Sequence, residues 1–170
     1  MLALGDTILR AFNFVFLVIA LGLAGSLAAT TVYQSNPQVN FAVFAAAFGI
    51  LTSTFYGILA YLFAAFAWPV ILFTFDFLNF VFTFAAATAI AANIHVHSCS
   101  NQAYIESNNI AQFSSGRCRK AQASVAFLYF SAFIFVASSI FSFISLLNGG
   151  LFGSTSRSTP RVGVPTMSQV

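Results

Sequence analysis

Few side chains in this chain can do chemistry. Among 170 residues there are three carboxylates, two histidines and two cysteines. The carboxylates Asp6, Asp76 and Glu106 are too scattered to work as a general acid/base pair. No glycine loop of the phosphate-cradling type, nucleophile elbow or HExxH zinc motif occurs. His95, His97 and Cys99 form an HxHxC run, and imidazole and thiolate both bind metal. A closed metal site would need further ligands, whereas Cys99 has a second cysteine, Cys118, with which to form a disulfide. The reading is a non-enzyme with no metal and no cofactor in the catalytic sense.

Asp76 is the one carboxylate deep inside an apolar stretch. Intramembrane ionisable residues are rare and costly, and they mark either function or a buried partner. Asp76, Asn79 and Thr83 fall at i, i+3, i+7 on one helical stripe, which points them toward a bundle interior. Asp76 lies about 12 Å along the helix from Trp68. Asn13, Tyr56 and Ser138 are expected at similar depth on the other helices, and Arg10 can reach toward Asp76 by snorkelling. Two readings stay open. One is a structural hydrogen-bond cluster; the other is a site for a polar lipid headgroup or a proton.

The elements that must position these residues follow from composition. Hydrophobic residues make up 59% of the chain and charged residues 5%, against roughly 25% in soluble domains. Six basic and three acidic side chains cannot wet a globule of this size. The mean hydropathy of +0.91 fits lipid as the solvent. Twenty-three phenylalanines exclude a disordered chain, and the sparse net charge of +3 leaves no footprint for nucleic acid. A bilayer core needs about 20 apolar residues per helix. Four stretches qualify, at about 8–30, 41–63, 68–94 and 121–147. The fold class is therefore an all-α membrane protein, a four-transmembrane-helix bundle over residues 1–150, followed by a Ser/Thr/Gly/Pro-rich tail over 151–170. Asn36-Pro37 is read as a break between the first two spans, Pro69 as the first turn of the third and Asn148-Gly149-Gly150 as the end of the fourth. Residues 64–67 make a tight hairpin between spans two and three, and His95 to Lys120 form a long polar loop. The first span is too long for a cleaved signal and is expected to serve as the targeting signal.

An even number of spans puts both termini on one side. The positive-inside rule ties, with Arg10, Arg157 and Arg161 on the terminal side and Arg117, Arg119 and Lys120 in the long loop. The cysteines break the tie: a Cys99–Cys118 disulfide needs an oxidising compartment, so the loop is placed in the lumen or outside the cell and both termini in the cytosol. The tail residues Ser154, Thr155, Ser156, Ser158 and Thr159 are then candidate phosphorylation sites.

Membrane helices associate through small residues. Gly22, Gly25, Ser26 and Ala29 on the first span, and Ala42, Ala45, Ala46 and Gly49 on the second, each form a small-residue face. On the fourth, Ser124, Ser131, Ser138 and Ser145 recur every seven residues beside Ser142, a left-handed packing seam. These faces are expected to pack the bundle or a homo-oligomer. A serine-lined water path is the functional alternative. Phenylalanines crowd the third and fourth spans. Some of them must face lipid, which makes a bound sphingolipid or sterol a hypothesis beside the plain reading of apolar filler.

Several segments resemble the fungal non-classical export protein 2 family. They include the start Met1-Leu2-Ala3-Leu4 with Asp6, Ile8-Leu9-Arg10 and Asn13-Phe14. They continue through Ala67-Trp68-Pro69, the run from Asp76 to Phe84, His97-Ser98-Cys99 and Arg117-Cys118-Arg119. The set closes with the run from Val125 to Ser131, then Gly163-Val164-Pro165-Thr166 and Ser168-Gln169-Val170. The resemblance covers nearly the whole chain. It implies a MARVEL-type tetraspan protein of the fungal plasma membrane, in the eisosome and arginine-permease compartment. It further implies sphingolipid responsiveness, eisosome core proteins and associated kinases as partners, and a link to signal-independent export. The tail carries only Arg157 and Arg161, fewer basic residues than the family pattern. A transport or export component with Asp76 in a translocation path is the alternative.

Overall fold

The computed structural model describes residues 4–32, 35–63, 68–95 and 97–149. Helix α1 spans Leu4–Ala29. Helix α2, Pro37–Gly49, runs without a break through a π-helical segment, Ile50–Phe55, into α3, Tyr56–Leu62. Helix α4 covers Pro69–Ile94, the short α5 covers Gln102–Ser107, and α6 covers Ser115–Gly149. Four helices, Gly5–Ala29, Pro37–Leu59, Pro69–Ile94 and Ser115–Leu147, are long and apolar enough to cross a membrane. No strand occurs among the described residues.

The span boundaries shift for local reasons. Helix α1 begins at Leu4 rather than near Ile8, because Asp6 and Arg10 lie one turn apart on it and pair. The expected break at Asn36-Pro37 separates α1 from α2 and is also where the second span starts. Asn36 is extended, and Pro37, whose fixed φ suits the first helical turn, opens α2. Helix α6 begins at Ser115, so Arg117, Arg119 and Lys120 belong to the helix and not to the loop. Helix α4 starts at Pro69 as expected and stops where His95 turns to φ 52°. The hairpin at residues 64–67, Gly150 and the tail with its candidate phosphorylation sites lie outside the described residues.

Helix pairing follows from side-chain contacts. Asp76 meets Ser142, Phe73 meets Phe143 and Phe84 meets Tyr129, so α4 and α6 run antiparallel. Phe16 packs on Phe127 and Phe130, and Ser26 meets Lys120, so α6 is antiparallel to α1 as well. The dry core joins Leu17, Ala20, Ala24 and Leu27 of α1 to Val39, Ala42, Ala45 and Ala46 of α2. Ala86, Ala87 and Ile90 of α4 and Ala121, Leu128 and Phe135 of α6 complete it.

Two expected packing faces need correction. On α1, Gly22 and Ala29 are exposed, and Gly25 and Ser26 are only half-buried. A Cβ at Gly22 or Gly25 would meet open space within 4 Å. The inward face carries the bulkier Leu17 and Leu27 because α2 supplies the small residues. A Cβ at Gly49 would come within 3.1 Å of Leu17 Cδ1. On α6, Ser124, Ser131 and Ser138 are buried but Ser145 is exposed, and Ser142 turns inward in its place. A straight helix drifts about 20° per seven residues, which carries the fourth member off the seam.

The phenylalanines divide. Phe135 is buried, and Phe82 contacts Phe41, Phe44 and Phe48 between α2 and α4. Phe77, Phe130, Phe133, Phe141 and Phe143 are exposed on the bundle's outer surface.

Candidate functional site

A buried ionic cluster ties the four spanning segments together near the N-terminal end of α1. Arg10 donates from Nη1 to Asp76 Oδ1 at 3.0 Å and from Nη2 to Asp76 Oδ2 at 2.6 Å. Its Nε donates to Asp6 Oδ2 at 2.9 Å, one turn earlier on α1. Its Nη1 also reaches Ser53 Oγ in the π-helical segment at 3.4 Å. Ser142 of α6 donates to Asp76 Oδ2 at 3.0 Å. Asp76 is 0% exposed and Arg10 8%. A planar guanidinium suits this role because it meets a carboxylate at two points and keeps a third donor for Asp6.

Local backbone geometry explains the approach. A π turn holds more residues than an α turn and often sits at sites of special function. It lets the neighbours Thr52 and Ser53 both face the interior. Thr52 accepts from Asn79 Nδ2 at 2.7 Å while donating to Phe48 O, also at 2.7 Å. Gly57 leaves room for the Arg10 stem, since a Cβ there would touch Arg10 Cδ at 3.4 Å.

The stripe read from the sequence is buried as a unit: Asp76, Asn79 and Thr83 all lie inside. Only Asp76 joins the ionic cluster. Thr83 donates to its own helix at Asn79 O, 2.6 Å away. Asn13 and Ser138 are buried, but their polar atoms bond no protein group. Tyr56 packs its ring edge-on against Phe75 with centroids 5.3 Å apart. Asp6, Thr52 and Ser53 escaped the sequence reading. The i, i+4 spacing of Asp6 and Arg10 is the signal that points to the first. Nothing in the local sequence announces the π segment that delivers the other two.

The opposite end is closed by the long loop. Cys99 and Cys118 are joined, with Cα atoms 5.7 Å apart. They pack with Ile105, Ala111 and Tyr104 in a small core of their own. Tyr104 donates its hydroxyl to Ile94 O at the end of α4, and burial pushes its phenol above the ordinary value. Arg117, counted in the sequence as a loop charge, is 7% exposed. It donates to Leu27 O at 3.0 Å, to Thr30 Oγ1 and to Ile110 O at 3.1 Å. It thereby caps the carboxyl end of α1, where orphan carbonyls and the helix dipole favour a cation. Asn36 Nδ2 donates to Asn109 O at 2.9 Å and pins the α1–α2 connection to the same loop.

The disulfide removes the thiolate from the HxHxC run. His95 and His97 are exposed with ring centroids 6.3 Å apart, and His97 leans on Tyr104 at 4.8 Å. No group of three or more His, Cys, Asp or Glu able to hold a metal occurs among the described residues.

Four apolar helices locked through buried polar groups define a multi-span membrane protein. The profile of MARVEL, the membrane-associating domain, matches residues 2–141. The chain belongs to that family and, within it, to the fungal non-classical export protein 2 family. It is 80% identical to Non-classical export protein 102 of Candida albicans over 170 residues, covering 100% of both chains. It is 52% identical to Non-classical export protein 2 of Saccharomyces cerevisiae over 174 residues, again covering 100% of each. A Schizosaccharomyces pombe homologue is 33% identical over 134 residues, covering 78% of this chain and 73% of its own. No solved structure matches.

Proposed function

We propose that this chain is a non-enzymatic organiser of fungal plasma-membrane microdomains. It responds to sphingolipid status and supports eisosome assembly and protein sorting. Both termini face the cytosol and the disulfide loop faces outward, where oxidation is sustained. The observation that carries the reading is the partition of the side chains. The charges of α1 and α4 turn inward and lock the helices, while the outer surface is left to apolar side chains, aliphatic and aromatic. Between α4 and α6 these side chains form an apolar groove of about 390 Å³, lined by Phe73, Phe77, Phe80, Val136, Ile140, Phe143 and Ser139. Such a surface acts through lateral packing against lipid and against neighbouring proteins, including further copies of this chain. The lipids in view are sphingolipid and sterol.

The test is reconstitution in giant vesicles that separate into ordered and disordered lipid phases. An organiser of ordered domains concentrates in the sphingolipid- and sterol-rich phase. Even partition between phases, or exclusion from the ordered one, refutes the reading.

The names of the relatives favour a second reading, an export component with Asp76 in a translocation path. The geometry weighs against it, because both Asp76 oxygens are engaged by Arg10 and Ser142. Flux of a small polar solute or peptide through protein-bearing liposomes, absent from protein-free ones, would support this reading over the first.

A further inference from the structure

One turn beyond the ionic cluster, toward the disulfide end, the bundle buries polar groups that the protein itself does not satisfy. Asn13 follows Arg10 by three residues, and Asn79 follows Asp76 by three. Ser138 precedes Ser142 by four on the antiparallel α6. All three therefore share one layer about 5 Å from the ion pair. Asn13 is 1% exposed, Asn79 0% and Ser138 1%. Both amide atoms of Asn13, the Oδ1 of Asn79 and the Oγ of Ser138 have no protein partner. Burying an amide without a hydrogen bond is expensive, and native interiors almost always resolve it with a protein group or ordered water. The layer offers acceptors in Asn79 Oδ1 and Asn13 Oδ1, donors in Asn13 Nδ2 and a hydroxyl that does both.

We propose that Asn13, Asn79 and Ser138 bind a cluster of ordered water inside the membrane-spanning bundle. A buried water needs two to four polar partners, and this layer supplies them from three helices. Its floor is the Arg10–Asp76–Ser142 cluster. Its roof is apolar, where Leu17 and Phe135 close against Gly49. Ser124 and Ser131 are also unpartnered, but they lie beyond that roof in the alanine-rich half, without a second orphan from α1 or α4 beside them. The interior is thus wet on one side of Leu17 and Phe135 and dry on the other.

Water-edited solid-state NMR of the full chain in liposomes tests this. The side-chain carboxamide carbons of Asn13 and Asn79 should gain water magnetisation more slowly than that of exposed Asn101 but far faster than the Ala20 methyl. Asn13→Leu should lower the unfolding midpoint and slow the build-up at Asn79. Ser138→Ala, a smaller change, should slow the Asn79 build-up in a bundle that stays folded. Build-up at Asn13 and Asn79 as slow as at Ala20 overturns the proposal. So does an Asn79 signal that neither variant changes.

Discussion

Arg10 and Asp76 stand 66 residues apart in the chain and meet in a two-point ion pair, Nη1 to Oδ1 at 3.0 Å and Nη2 to Oδ2 at 2.6 Å. The pair sits where burial is nearly complete. In such a place two charges gain little net energy over apolar residues of equal size, yet losing one partner strands the other. The pair therefore specifies which helices adjoin, and at what depth, more than it adds stability.

That asymmetry gives the first prediction. Asp76→Asn and Arg10→Gln should each destabilise the bundle by about 3–5 kcal/mol. The triple replacement Asp6→Asn, Arg10→Met, Asp76→Leu should cost much less than the sum of its parts, because no charge is then left alone. Thermal unfolding in detergent, followed by size-exclusion fluorescence, measures all of them.

Opening the disulfide removes a closure of sequence separation 19. Cys99→Ser with Cys118→Ser should lower stability by about 3 kcal/mol. The loss should be local to the loop end, with faster proteolysis between α4 and α6 and little change in the Arg10 cluster. Limited digestion under reducing and non-reducing conditions reads it directly.

Arg117 holds three acceptors from two elements at once. Arg117→Met should cost about 1–3 kcal/mol by leaving the Leu27 and Ile110 carbonyls unpaired. Arg117→Lys should restore little of it, since an ammonium lacks the planar fork. The same unfolding assay separates the two variants.

A glycine facing open space and one packed in the α1–α2 contact should respond oppositely. Gly25→Ala meets no neighbour and should raise stability by up to about 1 kcal/mol through helix propensity. Gly49→Leu would drive a side chain into Leu17 and Phe135 and should cost about 1–3 kcal/mol by overpacking. If cross-linking shows Gly25→Leu dispersing an oligomer while the single bundle stays folded, the Gly22–Gly25 face joins copies.

The spans were legible because lipid imposes length and hydropathy on every crossing helix. The inward stripe Asp76, Asn79, Thr83 was legible because helical periodicity assigns residues to faces. Which small-residue face looks inward was not, since Gly22 and Gly49 are alike in sequence and only the partner's bulk distinguishes them. The π segment at Ile50–Phe55 was also hidden, because the groups that Thr52 and Ser53 meet, Asn79 and Arg10, come from across the bundle. Arg117 reads as a loop charge in the sequence for a related reason. A carbonyl 90 residues earlier is its partner, and charge counting does not see carbonyls.

Asp6 and Arg10 share one helix, whereas Asp76 emerges from the ribosome two spans later. A nascent first segment therefore brings its own counter-ion to the insertion machinery at i, i+4 spacing. Arg10 lies in the second turn of the inserting segment, where snorkelling already softens the cost of a charge, and a carboxylate one turn away lowers that cost further at the earliest step of biogenesis. Asp76 then inherits a cation already delivered to the right depth. Removing Asp6 should thus impair co-translational insertion, scored by glycosylation reporters, more than it harms the finished protein.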